Sequence, residues 1–188
     1  MAYLTRSELE AMGFASLGQN VLLSDKASFY NASSISLGDH VRIDDFCVLS
    51  AGDEGIDIGS HIHVAVYCSL IGRGNIRLGD YANLSSRVSI YSSNDDYSGA
   101  SMTNPMVPAC YTNVTHAPVD IGRHVIIGSG SVVLPGTVLG EGAAVGALSL
   151  VSGEYDPFWI YAGQPAKPLK ERSRDLLDVE AKMKRESR

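Results

Sequence analysis

Few side chains in this sequence can do chemistry at neutral pH, and their spacing excludes several reactions. The five histidines are His40, His61, His63, His116 and His124. A zinc centre needs three or four converging ligands. His61-Ile-His63 followed by no further histidine until His116 does not supply that spacing, so no metal is expected. Three cysteines, Cys47, Cys68 and Cys110, make no disulfide framework. Gly128-Ser-Gly130 is not followed by the Gly-Lys-Ser/Thr of a phosphate loop. What remains is proton transfer and anion binding. His116 lies just ahead of a regular segment that resumes at Ile121, where it can act as a general base or stay a surface histidine. Arg73 and Arg87 can bind an anion and Tyr91 can contact a ligand, although Arg87 is equally placed to pair with Asp44 or Asp45.

The scaffold for these groups is written in a repeat. Aliphatic residues recur six apart at Ile121, Ile127, Val133, Leu139, Val145 and Val151, and the same hexad runs through Leu37, Ile43 and Leu49, through Ile58, Val64 and Leu70, and through Leu78, Leu84 and Ile90. Six is even, so an extended strand returns its marked residue to one face, whereas a helix would rotate it away. Strands this short cannot bury a face alone, and triangular coils of three hexads stack into a continuous narrow core. The fourth residue after each aliphatic shares its parity and should be small: Val41, Cys47, Ile62, Cys68, Ala82, Val88, Val125, Ser131, Thr137, Ala143 and Ser149 pass, with Ile62 the one large member. Cys47 and Cys68 therefore read as packing. His40, His61, Tyr81 and His124 share an outward position and are expected to stack as a column.

The expected fold is all-β, a left-handed parallel β-helix of about five coils over residues 15–166. Residues 1–14 hold a capping helix opened by the box Thr5-Arg-Ser-Glu8, and residues 167–188 a helical tail from Ser173 to Glu186 with Leu176, Val179 and Met183 on one stripe. Residues 91–118 leave the repeat as a protruding loop, and a loop this long in a compact domain is usually functional. The chain has 188 residues and a formal net charge of -6, with the tail from Lys167 basic. That balance argues against nucleic acid. No apolar run approaches the ~20 residues of a membrane span, and the start of the chain does not read as a signal peptide, so a cytoplasmic protein is expected. The sequons at Asn31, Asn83 and Asn113 are then chance matches.

The repeat, with the closing segment Tyr161-Ala-Gly-Gln-Pro-Ala-Lys-Pro-Leu-Lys170, resembles the hexapeptide-repeat acyltransferases. Val41-Arg-Ile-Asp-Asp-Phe-Cys-Val-Leu49, Asn83-Leu-Ser-Ser-Arg87, Asn94-Asp-Asp-Tyr-Ser-Gly99 and Trp159-Ile-Tyr-Ala-Gly-Gln-Pro165 are similar to N-acetyltransferases of nucleotide-linked 3-amino-3,6-dideoxyhexoses, which supply bacterial surface polysaccharides. The resemblance implies a homotrimer, acetyl-CoA between neighbouring β-helices and a nucleotide sugar under the loop. It assigns Ser129 and Ala147 to the pantetheine amides, Ser152, Pro165 and Lys167 to the rest of the CoA path, with Lys167 and Lys170 near phosphates, and Arg73, Arg87, Tyr91, Asn94 and Asp96 to the acceptor, the first three as candidates for its pyrophosphate and ring. It also brings His63 near the acceptor pocket. Where related O-acetyltransferases carry a base histidine, this chain has Asp95. Carboxylates ordinarily titrate near pH ~4, too low to strip an alcohol but sufficient to support an amine. The resemblance thus implies N-acetylation assisted by Asp95. O-acetylation with His116 or His63 as base, and a non-catalytic β-helix scaffold, are the alternatives.

Overall fold

A computed structural model describes residues 2–186; of the two terminal segments, Met1, Ser187 and Arg188 lie outside the described residues. The chain winds as a parallel β-helix whose three faces are sheets of seven, eight and six strands. Register follows the hexads, with Leu37 and Leu78 each opposite Ile58, and Ile43 opposite Val64. The marked residues form three buried files along the axis, one per face, and the residues chosen by parity are buried beside them.

Seven turns, the last incomplete, replace the expected five. The extra first coil runs Ser16–Leu17, Leu22–Leu23 and Ser28–Tyr30, and the extra last one Glu154–Tyr155 and Trp159–Ala162. Both keep the spacing of six, through Leu17, Leu23 and Phe29 and through Tyr155 and Tyr161, but put aromatics in inward positions. An end coil has a neighbour on one side only, so a large ring fits there and closes the tube. Phe29 meets Phe14 edge to face, and Tyr155 meets Tyr161 in the same way.

Helix α1 (Arg6–Ala11) covers the first coil with Leu9 buried, its start fixed by reciprocal Thr5 and Glu8 capping bonds. Helix α2 (Leu176–Glu186) turns a charged residue inward: Glu180 is 9% exposed, whereas Val179 of the expected apolar stripe is 67% exposed. Glu180 accepts from Arg123 Nη2 and His124 Nε2, both at 2.7 Å, and pairs with Lys184. His124 ends a column of rings through Tyr81, His61 and His40, with centroids 4.7–4.9 Å apart and planes within 7°. All four column residues have φ between +56° and +62°, a region that side chains enter at a cost; stacking on the next coil offsets it.

Burial pushes the Glu180 carboxyl up, but the bonds from Lys184 and His124 and the charge of Arg123 outweigh it and bring the pKa to about 2, from an ordinary 4.5. A lowered carboxylate contributes stability above its unfolded value, lost as pH falls through the folded one. Glu180→Gln should therefore lower stability near pH 7 by about 2 kcal/mol, less than a wholly buried pair because Arg123 is partly exposed. Thermal unfolding should show that gap shrinking below pH ~4.

Candidate functional site

The long loop leaves and re-enters the tube without disturbing register: Leu78 pairs with Ile121, Leu84 with Ile127 and Ile90 with Val133 across it. Its root is tightly fixed. Ser92 is fully buried, and its hydroxyl donates to the Gly74 carbonyl at 2.6 Å while Ala117 N–H donates to Ser92 O at 3.1 Å. Beyond it, Ser93–Asn94 pairs antiparallel with Thr115–His116, placing Ser93 opposite His116. Ser93 Oγ lies 2.7 Å from His116 Nδ1 and accepts the Arg73 backbone N–H at 2.8 Å.

The loop and this root enclose a largely apolar cavity of about 500 Å³ lined by Asn94, Asp95 and His116 together with Ile71, Pro105 and Val114. A second, of about 370 Å³, lies between the loop and the fifth coil, against Tyr91, Tyr97, Val132 and Leu134. Asp95 lines both and a smaller third. No hydrogen bond or ion pair engages its carboxylate among the described residues, so its charge is available to a ligand. Asp96 instead turns back on its own backbone, accepting from Ser98 N–H at 2.8 Å, and these Ser98 bonds hold its carboxyl below the ordinary range.

The other sequence candidates fall in separate places. Ser152 and Lys167 line a cavity of about 420 Å³ at the C-terminal end, with Tyr155, Trp159 and Tyr161. Ser129 and Ala147 are exposed at corresponding corners of adjacent coils, where Leu148 N–H donates to Ser129 O at 2.9 Å. Pro165 follows a cis peptide in the turn leading to Lys167–Glu171, the strand that contains Lys170. The Arg73 guanidinium pairs with Asp53 at 2.7 Å, so the contribution of Arg73 to the loop root is its amide. Arg87 pairs with neither Asp44 nor Asp45; it sits over the Tyr67 ring, 5.6 Å from the centroid. Asp44 is taken instead by Arg42 and by His63, at 2.7 and 2.8 Å. Desolvation raises the Asp44 carboxyl, yet the Arg42 and His63 bonds leave it below the ordinary range. The geometry does not bring His63 into the cavities that Asp95 lines.

Sequence reasoning missed Ser93, whose role comes from a cross-strand pairing, and the aromatic wall of Tyr155 and Tyr161, which continues the hexad with rings in place of aliphatics. Cys47 and Cys68 are buried, free thiols whose Sγ atoms donate to the carbonyls of Ala65 and Ser85 at 3.0 and 3.1 Å, as a packing role requires. Among the described residues no group of three or more metal-liganding side chains occurs, and no helix is long and apolar enough to cross a membrane.

Gly72 controls how closely the third coil approaches the root. Its φ is +149°, and a Cβ there would lie 2.2 Å from Ser92 Oγ and 2.8 Å from Ser92 N. Gly72→Ala should lower stability by about 2 kcal/mol and displace the root. Thermal unfolding and faster proteolysis within residues 95–112 are the checks.

No protein-family model matches the chain. A dTDP-4-amino-4,6-dideoxy-D-glucose acyltransferase of Escherichia coli is 58% identical over 184 residues, covering 98% of this chain and 96% of that protein. AntD, an N-acyltransferase of Bacillus cereus solved with dTDP and 3-hydroxybutyryl-CoA, is 42% identical with a TM-score of 0.94, covering 98% of this chain and 97% of that one. A serine variant of AntD was solved with dTDP-4-amino-4,6-dideoxyglucose and coenzyme A. A maltose O-acetyltransferase of Clostridium difficile 630 shares the fold at 20% identity and a TM-score of 0.54, over 90% of this chain and 75% of that one. The first two relatives involve a 4-amino sugar, one carbon along from the 3-amino sugars of the sequence resemblance. The chain belongs to the hexapeptide-repeat acyltransferases, in the branch of N-acyltransferases of nucleotide-linked amino-dideoxy sugars.

Proposed function

We propose that this protein transfers an acyl group from a coenzyme A thioester to the amino group of a dTDP-linked 4-amino-4,6-dideoxyhexose, for a bacterial surface polysaccharide. The observation that carries the reading is Asp95, an unpaired carboxylate where three cavities meet under the loop, in a chain similar over nearly its whole length to enzymes of such substrates. The amine nitrogen attacks the thioester carbon. A C–N bond forms, the C–S bond breaks, and coenzyme A leaves as the thiol, accounting for the proton that the amine gives up. An amine releases its proton far more readily than an alcohol, so a nearby carboxylate that orients it is sufficient help.

The apolar wall beside Asp95, with Ile71, Pro105 and Val114, suits the methyl end of a 6-deoxy sugar or a short acyl chain. Acetyl-CoA and 3-hydroxybutyryl-CoA are the donors to compare, the second because AntD was solved with it. Ser129 and Ala147 are accessible to pantetheine, and Lys167 beside Ser152 offers charge for phosphates. A homotrimer is supported by the loop exterior: Met106 and Tyr111 are 90% and 62% exposed, an apolar surface suited to a second copy. The three free thiols support a cytoplasmic setting. Full-length likeness to enzymes speaks against a mere scaffold.

The test is thiol release from a coenzyme A thioester with dTDP-4-amino-4,6-dideoxyglucose, its 3-amino isomer and the hydroxy counterparts. Turnover is expected with the 4-amino sugar, falling on the acid side as the amine protonates. Asp95→Asn should lower kcat about 10²-fold with an unchanged melting temperature. Turnover of hydroxy sugars alone would contradict the acceptor class. Wild-type rates in Asp95→Asn would remove Asp95 from the reaction.

A further inference from the structure

We infer that His116 serves the reaction as a hydrogen-bond donor to a ligand oxygen, held in its Nε2–H tautomer by Ser93, and not as a base; this rests on the acyl-transfer reading above. Ser93 Oγ already accepts the Arg73 backbone N–H at 2.8 Å. Its hydroxyl proton has one acceptor within reach among the described residues, His116 Nδ1 at 2.7 Å. To receive that proton Nδ1 must be bare, and a neutral imidazole then carries its single proton on Nε2. The reverse arrangement, Nδ1–H donating to Ser93, would leave the hydroxyl proton with no protein acceptor.

The geometry is not left to a flexible loop. Ser93 and His116 are direct cross-strand partners in the hairpin at the loop root, and the Ser92 and Ala117 bonds clamp that hairpin to the tube. Nε2 has no hydrogen-bond partner among the described residues, and the ring shares a cavity with Asp95 and Asn94. Two groups of opposite character therefore line one space. Asp95 brings negative charge for the amine. The Nε2–H of His116 brings a donor for an oxygen, either the thioester carbonyl as it gains negative charge or a hydroxyl of the sugar. A histidine so held has no free lone pair facing the ligand, which fits an acceptor that needs no strong base. Ser93 is the positioning residue that fixes this choice.

Two measurements test it. Nitrogen NMR of side-chain-labelled protein, above the pH at which the imidazole is charged, should show His116 with Nδ1 bare and Nε2 protonated, and Ser93→Ala should move it toward a tautomer mixture. In thiol-release assays His116→Gln, which keeps an N–H near the Nε2 position but cannot take up a proton, should retain turnover within about fivefold of wild type. His116→Ala should lose about 10²-fold, with both variants folded by thermal unfolding. A loss in kcat alone assigns the donor to the thioester carbonyl, and a rise in KM alone assigns it to the sugar. An Nδ1–H tautomer in the wild type, or His116→Gln as inactive as His116→Ala, would overturn the inference. A wild type that forms no amide would defeat the acyl-transfer reading, whereas the tautomer spectrum would still decide between donor and base.

Discussion

The structure depends on parity. A closed tube built from short strands can bury one face only if every turn returns its inward residue to the same side. The even spacing of six imposes that condition, and the stacked file from Leu17 through Leu37, Ile58, Leu78, Ile121 and Leu139 to Tyr155 shows it met coil after coil. Extra residues must then leave at corners. The excursion from Tyr91 to Val119 is the largest case: it departs and returns with Leu78 still opposite Ile121, so a long loop is carried without a shift in register. Burial of Ser92 fixes the root of that loop.

Corners are the second half of the design. The column residues take positive φ, and each stacks its ring on the coil below. At the C-terminal end of that column, His124 and Arg123 provide the charged seat for Glu180 of α2. The helix is thus held by an ion-pair network, with Val179 left exposed. A second set of exposed rings, Phe46 on Tyr67 with Arg87 above, runs along a different corner and accounts for Arg87 without an acidic partner.

The tube was legible in the sequence because burial and parity act on residue type directly: every residue at the fourth position, the large Ile62 included, is buried. The column His40, His61, Tyr81 and His124 was legible for the same reason, since equal hexad positions lie above one another. Two coils escaped because a rule of aliphatic hexads passes over Phe29, Tyr155 and Tyr161, where an open end admits a ring. The site was legible only in outline. Asp95, His116, Asn94 and Tyr91 could be placed at the loop, but the partners of His63, Arg73 and Arg87 depend on which coil lies next to which corner. Ser93 gave no signal, since its contact with His116 depends on the cross-strand pairing at the loop root.

The central claim is that an amine is the group acylated under this loop. The most direct measurement is the identity of the bond in the product made from a coenzyme A thioester and dTDP-4-amino-4,6-dideoxyglucose, by mass spectrometry and NMR. The account predicts one added acyl group, held as an amide on the sugar nitrogen. An ester on a sugar hydroxyl with the amine left free would contradict it.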